Sequence, residues 1–402
     1  MSEKLKIEIL NDRTENSKTY DIGNGKKIAE ICIGAIHYKD DYKDEKEQFK
    51  EIDLTWVDNK ITKAPYTLER VGNKINVLDK KTGKTSSIEL DSIGDEKLST
   101  KKSLTGSKTT EIVKDVDVEI IATPDCIRYQ TIIKDKKALK DLKYKITGDI
   151  PISYSAVDDD GEAVPLITSV SKEGILTESV DVKSFTSEKA EKTKIKYPIK
   201  IDPTLTLSMN KDTLINEAAT TTNYGSSTFF TVNNRLLTAQ RVYSLIEVSL
   251  SSLPAGSTVS TATFSAYYYT YDGTSLNPNG KACVLNPLRR ADWVEDQATW
   301  NIYKTGSNWG TAGALNTTTD YDNSISSSVN FPSSVGAWME WDVKNLITSA
   351  QSNGTNFNVR MYIDWTIDSF PRFYSKEYST NTGLRPKLVI EYNIKRRKIF
   401  FI

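Results

Sequence analysis

The chain has 402 residues, with 53 basic and 53 acidic side chains, one histidine and three cysteines. This length suits about two to three domains with real cores. Zero net charge argues against nucleic acid as the main partner, because phosphate binding needs a basic surplus. One histidine excludes His-rich metal sites, and Cys32, Cys126 and Cys283 are too scattered for a disulfide framework or a zinc site.

Neither a membrane segment nor an export signal is expected from the sequence. No run approaches the roughly 18 consecutive apolar residues that a membrane helix needs. Residues 1–10 alternate charged and apolar side chains and so lack the apolar core of a secretory signal. We therefore expect a protein made in the cytoplasm, not exported by that route and not inserted in a membrane.

The balanced charge hides two different halves. Residues 1–200 hold 36 basic and 37 acidic side chains, whereas residues 201–402 hold 17 and 16, together with six of the seven tryptophans. This contrast predicts a charged β-rich attachment or scaffold domain over 1–200 and a second domain over 205–393. The basic and apolar tail 394–402 is expected either to fold back or to dock into a neighbouring subunit.

The first half has the period of short strands. Apolar residues alternate at 4–9, 28–33, 74–77, 116–120 and 194–197, with turn residues between these runs. Only residues 135–142 suit a helical turn. We interpret the Asp158–Gly161 run as a polar hairpin tip, because the other ligands of a calcium loop are missing. His37, between two apolar residues, is expected to be structural.

Two segments of this half carry a resemblance to a known module. Ile36-His-Tyr-Lys with the later Phe49-Lys-Glu-Ile-Asp-Leu-Thr-Trp56, and Tyr197-Pro-Ile-Lys-Ile-Asp-Pro203, resemble the opening and closing segments of a β-rich module. That module occurs near the start of large secreted or wall-associated bacterial proteins, including RHS/YD-repeat proteins. The resemblance identifies a module and implies no activity.

The second half contains ordered motifs of greater specificity. They are Asn223-Tyr-Gly225, the strand from Arg241 to Leu250 with its following Leu253-Pro-Ala-Gly256, Trp293-Val-Glu-Asp-Gln-Ala-Thr-Trp300-Asn301, Trp338-Met-Glu-Trp-Asp-Val343, and Phe373-Tyr-Ser-Lys-Glu377 with Arg385-Pro386. This series resembles the DNRLRE family, the disaggregatase-related module, over residues 205–393. The resemblance implies a jelly-roll-like sandwich similar to carbohydrate-binding modules.

The residue pattern alone indicates the same architecture. Short strands, turn signals about every ten residues and scarce helix are typical of a sandwich. We therefore predict an all-β chain, with an N-terminal β-rich domain followed by a jelly-roll-like antiparallel β-sandwich. A short helix is expected at Asn345–Thr348.

The aromatic residues divide into structural and ligand-binding candidates. A sugar ring stacks on an exposed flat ring, beside amides or acids that bind its hydroxyls. Tyr268 should face the core, opposite Tyr267 and Tyr269, and Trp338 and Trp341 should face opposite sides of one strand. We assign a structural role to Trp293, Trp300 and Trp338. The glycan-binding candidates are Trp309, Trp365, Tyr267, Tyr269 and Trp341.

We expect neither catalysis nor a cofactor. No motif for a nucleophile, a metal or a cofactor loop is present. Glu295, Asp296, Glu340 and Asp342 are carboxylates that a glycosidase could use, but turn and capping roles are commoner. Binding of a structural calcium ion remains an alternative. Asp202 and Asp212 have suitable oxygens, but no spacing points to a site.

These observations lead to one main hypothesis and two alternatives. An exterior-type sandwich without an export signal suits a virion protein, assembled in the host cytoplasm and exposed after lysis. We predict a non-enzymatic fibre, decoration or tail component that binds other virion proteins, itself and a host-surface glycan. The first alternative is a binding module of a secreted bacterial surface protein, outside the cell. The second is a polysaccharide-degrading tail enzyme.

Overall fold

The computed structural model describes residues 6–97, 113–150, 152–159, 164, 166–171, 173–180, 196–206, 210–235, 240–254, 256–272, 276–366, 369–378 and 380–393. The tail 394–402 and Asp160–Gly161 of the predicted hairpin tip lie outside these residues. Regular structure in the described part is almost entirely β, which confirms the predicted fold class. No helix in these ranges is long and apolar enough to cross a bilayer.

The described residues contain thirty strands, one α-helix and short 3-10 turns. The strands are β1 (Ile7–Glu8), β2 (Ser17–Asp21), β3 (Lys26–Cys32), β4 (His37–Tyr38), β5 (Lys50–Glu51), β6 (Lys60–Ile61), β7 (Tyr66–Val71), β8 (Lys74–Asp79), β9 (Thr85–Ile93), β10 (Glu96–Lys97), β11 (Val116–Ala122), β12 (Cys126–Ile133), β13 (Leu142–Gly148), β14 (Ile152–Val157), β15 (Leu166–Val170), β16 (Ile175–Val180), β17 (Ile199–Thr206), β18 (Lys211–Asn216), β19 (Phe229–Thr231), β20 (Asn233–Arg235), β21 (Gln240–Val248), β22 (Thr258–Tyr271), β23 (Ala282–Pro287), β24 (Ile302–Lys304), β25 (Ser307–Asn308), β26 (Ser327–Asn330), β27 (Ala337–Asp342), β28 (Phe357–Ile363), β29 (Pro371–Tyr374) and β30 (Lys387–Asn393). The α-helix is α1 (Lys344–Asn353), and the 3-10 turns are Leu10–Asp12, Lys136–Ala138, Glu217–Ala219 and Thr382–Leu384.

The chain forms two compact units, and one is inserted into the sequence of the other. The sandwich unit combines residues 1–37 with 209–402, and the inserted unit is residues 38–208. This differs from the predicted division, which placed residues 1–37 with the first domain. The reason is strand pairing: β3 pairs antiparallel with β30, from Lys26 opposite Asn393 to Cys32 opposite Lys387.

The inserted unit consists of two antiparallel sheets that share one apolar core. One sheet has the order β15-β16-β13-β9-β8-β7-β6, with β10 on β9, and the other has β11-β12-β17-β14. Alternation along the strands buries one face, as Ile75 and Val77 show on β8. The polar tip of the buried Tyr129 is satisfied, because its hydroxyl donates to the Asn73 carbonyl at 2.6 Å.

The sandwich unit also has two facing antiparallel sheets. Their orders are β1-β2-β3-β30-β22-β29-β19, with β27 on β22, and β18-β21-β28-β23-β26, with β20 on β21. Phe264, Phe357 and Trp341 meet in the core between them. Ala29 and Ile31 of β3 are fully buried in the same core. The strands β1–β3, which we call the N-terminal hairpin, therefore contribute to this unit's hydrophobic core.

Three local expectations can be compared directly with the structure. The predicted helix after β27 exists as α1, which ends at Gly354 in the left-handed region with φ 63°. Within residues 135–142 the helical turn is limited to Lys136–Ala138. His37 is fully buried, and its Nδ1 donates a hydrogen bond to the Thr14 carbonyl at 2.7 Å.

Candidate functional site

The tryptophans of the loop before β24 lie in the core of the sandwich unit. Trp293 is 1% exposed, and its indole N–H donates to Asn358 Oδ1 at 3.0 Å. The Trp300 ring stacks on Tyr243 with a centroid distance of 5.7 Å. Each ring anchors the loop between them through apolar burial worth a few kcal/mol, on the order of 2.

The structure corrects two of the proposed glycan ligands. Trp309 is 4% exposed, and its indole N–H donates to the Thr299 carbonyl at 2.9 Å. Trp341 is fully buried, and its indole N–H donates to the Cys283 carbonyl at 2.9 Å. A sugar ring cannot stack on a buried ring, so neither residue belongs to a binding surface. On β27 the half-exposed tryptophan is Trp338, on the opposite face from Trp341 as expected.

Tyr267 and Tyr269 lie together on the outer face of the first sheet, while Tyr268 is buried. The Tyr269, Tyr374 and Tyr378 rings form a parallel stack, with centroid distances of 4.2 and 3.6 Å. Tyr267 lies parallel to Tyr374 at 5.9 Å. We call these four residues the tyrosine stack. Rings that cover one another present mainly their edges and hydroxyls, so this surface offers hydrogen bonds more than a stacking platform.

Two cations extend the outer face on either side of the tyrosine stack. Lys387 Nζ lies 4.6 Å from the Trp338 ring centroid, and the Arg372 guanidinium lies 4.5 Å from the Phe229 ring centroid. Burial, and then the hydrogen bond with Tyr378, raise the pKa of Tyr374 above its ordinary value. The Tyr374 hydroxyl is already engaged with Tyr378, and its oxygen lone pairs can accept from a ligand hydroxyl.

Trp365 is the most exposed ring among the candidates. It follows β28 in the second sheet and is 54% exposed. Lys281 Nζ lies 3.9 Å from its ring centroid, and the neighbouring Asp364 is held against β23 by a hydrogen bond from its N–H to the Ala282 carbonyl at 2.9 Å. An exposed indole with an ammonium over one ring face, and a carboxylate on the preceding residue, offers groups that sugar binding uses.

Several motif residues meet in a buried charge cluster, formed by Asp212, Glu295, Lys376 and Glu377. All four are at most 6% exposed. Lys376 Nζ lies 3.0 Å from Glu295 Oε2 and 2.6 Å from Glu377 Oε1. Glu295 Oε1 accepts the Asp212 N–H at 2.6 Å, and Asp212 Oδ2 accepts the Lys376 N–H at 2.8 Å. Burial raises the pKa of both Asp212 and Glu295 well above the ordinary values.

The structure gives surroundings to the four carboxylates whose catalytic use the sequence left undecided. Glu295 joins three segments of the sandwich unit and is buried from solvent. Burial raises the pKa of Asp296, next to it in the loop. Asp342 accepts the Lys344 N–H at 3.1 Å at the start of α1, and Glu340 is exposed on β27. In the ranges that the structure describes, no group of three His, Cys, Asp or Glu residues is arranged to hold a metal ion.

Sequence reasoning missed Tyr374, Tyr378 and Lys376. Tyr374 approaches Tyr269 only because β29 pairs with β22 across a register shift between Tyr268 and Thr270. Such a shift leaves no signal in a single sequence. An apolar–polar count would have marked Lys376 as solvent-exposed, since lysine is rarely buried.

The sandwich unit therefore combines two antiparallel sheets with an exposed aromatic and polar surface. Comparison with known proteins gives a specific match: residues 203–392 match the model of Carbohydrate-binding module family 96. The match covers the second half of the chain and leaves the N-terminal hairpin β1–β3 outside.

Curated relatives match almost the whole chain at low identity. The tRNA(Glu)-specific nuclease WapA of Bacillus subtilis subsp. natto (strain BEST195) is 21% identical over 97% of this chain. The tRNA nuclease WapA of Bacillus subtilis (strain 168) is 20% identical over the same share. The chain spans 18% of the length of each. A solved structure described as PNGF-II covers 95% of this chain and 64% of its own at 10% identity, with a TM-score of 0.20, too low to inform the fold.

These relatives correct one expectation from the sequence. The chain was predicted to be non-enzymatic, but the relatives that it matches over 97% of its length carry the names of tRNA nucleases. The absence of familiar catalytic motifs therefore did not justify excluding an enzyme.

Proposed function

We propose that this chain is a glycan-binding region of a bacterial cell-surface protein, and that Trp365 is its stacking ring. The observation that carries the proposal is the match of residues 203–392 to a carbohydrate-binding module, in which Trp365 is 54% exposed. Its indole face supplies the apolar contact, while Lys281 and Asp364 supply polar contacts to hydroxyls. Tyr267 and Tyr269 are a separate candidate surface on the other sheet, where the Tyr267 hydroxyl donates to the Gly336 carbonyl at 3.1 Å and its oxygen can accept from a sugar hydroxyl.

Glycan-array and affinity-electrophoresis measurements on the full chain test this proposal. Trp365→Ala should weaken retention up to about tenfold, the effect of losing one aromatic contact of about 1.4 kcal/mol, and Trp365→Phe should restore part of it. Leu10→Ala, which truncates another exposed apolar side chain (51% exposed), is the matched control. Unchanged binding by Trp365→Ala would overturn the assignment. Tyr269→Phe separately measures the contribution of the tyrosine stack.

The cell surface is preferred over the virion as the location. The curated matches are bacterial proteins, and the first half resembles a module of wall-associated proteins. A virion fibre or tail protein that binds other virion proteins and itself, as the sequence analysis predicted, stays a prediction. Antibody labelling of intact cells should detect the protein. Its presence in purified particles by mass spectrometry, and its absence from cells, would favour the virion.

Two finer assignments are also proposals. The DNRLRE motifs map onto the charge cluster and the buried tryptophans, which supports the family assignment of the sandwich. The names of the relatives lead us to propose that glycan binding accompanies a nuclease activity. Incubation of the purified chain with tRNA tests this: fragments would support a nuclease activity in this chain, and intact tRNA would contradict it.

A further inference from the structure

A polar groove lies on the outer face of the inserted unit, where β7, β8, β9 and β13 run side by side. Its volume is about 350 Å³, within the range of small-ligand sites. Glu69, Asn76, Ser87 and Thr147 stand directly opposite one another across the four strands and form one continuous row. Three strand spacings make this row roughly 14 Å long.

The groove has the hydrogen-bonding groups of a sugar site. A carboxylate accepts, an amide both donates and accepts, and each hydroxyl does both. The Ser87 and Thr147 hydroxyls lie 2.8 Å apart, so each positions the other. Lys60 Nζ lies 2.9 Å from Glu69 Oε1 and balances its charge. In the next row, Thr67 and Thr85 add one hydroxyl on either side of Leu78.

Other ligand classes fit this groove less well. A peptide that adds to a sheet needs an unpaired edge, whereas β7, β8, β9 and β13 are each paired on both sides. Nucleic acid needs a basic surplus, and here Lys60 and Lys74 stand beside Glu69 and Glu89. An apolar ligand would contact mainly hydroxyl and amide groups, because Leu78 is the large apolar side chain that the groove exposes.

We propose that this groove binds a neutral, hydroxyl-rich oligosaccharide independently of the sandwich unit. The groove lies outside the residues that match the carbohydrate-binding family, so it is a second site and goes beyond the proposed function. Where one polysaccharide reaches both sites, avidity raises overall retention without new contacts.

Photo-crosslinking of the full chain tests the proposal. The probes are diazirine-tagged neutral tetrasaccharides of glucose, mannose, galactose and N-acetylglucosamine, and labelled peptides are mapped by mass spectrometry. Crosslinks are expected in peptides that contain residues 67–87 and in the peptide that contains Thr147. Asn76→Ala should reduce that label at least fivefold, and the Asn76→Ala, Ser87→Ala double variant further. Thr168→Ala, an exposed position on β15 of the same unit, is the matched control.

The outcomes separate the two proposals. Label in the groove that persists in Trp365→Ala supports the second site even if the sandwich unit binds nothing. Label confined to residues 203–392, or no label in the groove with any of the four probes, overturns the second site. Equal loss in Asn76→Ala and Thr168→Ala would also overturn it, because a general loss of folding would then explain the effect.

Discussion

Replacing Lys376 by methionine tests whether the charge cluster holds the sandwich unit together. The Lys376 ammonium is the cation that contacts both Glu295 and Glu377, at 3.0 and 2.6 Å, and the residue is 1% exposed. Methionine keeps the apolar stem but leaves the carboxylates buried without that partner. Removing one partner of a buried pair costs about 3–5 kcal/mol. For a unit of this size, that loss lowers the Tm by about 6–20 °C.

The loss in Lys376→Met should also depend on pH. Burial raises the pKa of Asp212 and Glu295, so the folded state holds their protons more tightly than the unfolded chain does. Their contribution to stability is full below the unfolded pKa of about 4 and is lost as pH rises through the raised folded values. Lys376 opposes the rise of both pKa values. Its removal should therefore cost more at alkaline pH than at acidic pH, where protons on Asp212 and Glu295 reduce the buried charge.

Urea unfolding followed by tryptophan fluorescence measures this effect. Six of the seven tryptophans lie in the sandwich unit, so the signal reports on that unit. Lys304→Met is the control, because Lys304 pairs with Asp292 at the surface of the same region. Equal stability of Lys376→Met and wild type at pH 8, or a loss of the same size at pH 5 and pH 8, would refute the reasoning.

Three further predictions concern the framework of the sandwich unit. Ile31→Ala should destabilise it by about 2–5 kcal/mol, because Ile31 is fully buried in the core; urea unfolding with no loss would contradict the role of the hairpin. Gly225→Ala should cost about 1–3 kcal/mol, since a Cβ there would overlap the Glu295 carbonyl oxygen; a melting curve equal to wild type would contradict this close approach. Asp320→Asn should cost about 1–3 kcal/mol, because Asp320 accepts the N–H groups of three residues and an amide nitrogen cannot; calorimetry checks the loss, and Glu340→Gln, at an exposed position on β27, is its control.

Alternation along the chain was enough to predict the fold class. The period-two pattern of β8 and β22 reflects one buried and one open face, and that physics is local. The opposite orientation of Tyr268 and of Tyr267 with Tyr269 follows from the same rule. Pairing partners are not local: nothing in residues 26–32 shows that β3 lies beside β30, which is why the N-terminal hairpin was grouped with the wrong half.

The binding surface was harder to predict than the fold. Trp309 and Trp365 both have polar neighbours, Asn308 and Gly310 for the first and Asp364 and Thr366 for the second, so composition could not separate them. The difference lies in burial: the loop anchored by Trp293 and Trp300 carries Trp309 inward, whereas Trp365 lies in the exposed residues that follow β28. Tyr378 joins the tyrosine stack only through the turn that Lys376 and Glu377 hold in place.

The pairing of β3 with β30 also has a consequence for synthesis of the chain. Ile31 stands opposite Leu388, and at about 5–20 residues per second the ribosome needs roughly 20–70 s to make the chain between them. The inserted unit is contiguous and is complete long before that moment. We therefore expect it to fold first, while the apolar hairpin ahead of it waits for its partner strand and depends on chaperones in the interval.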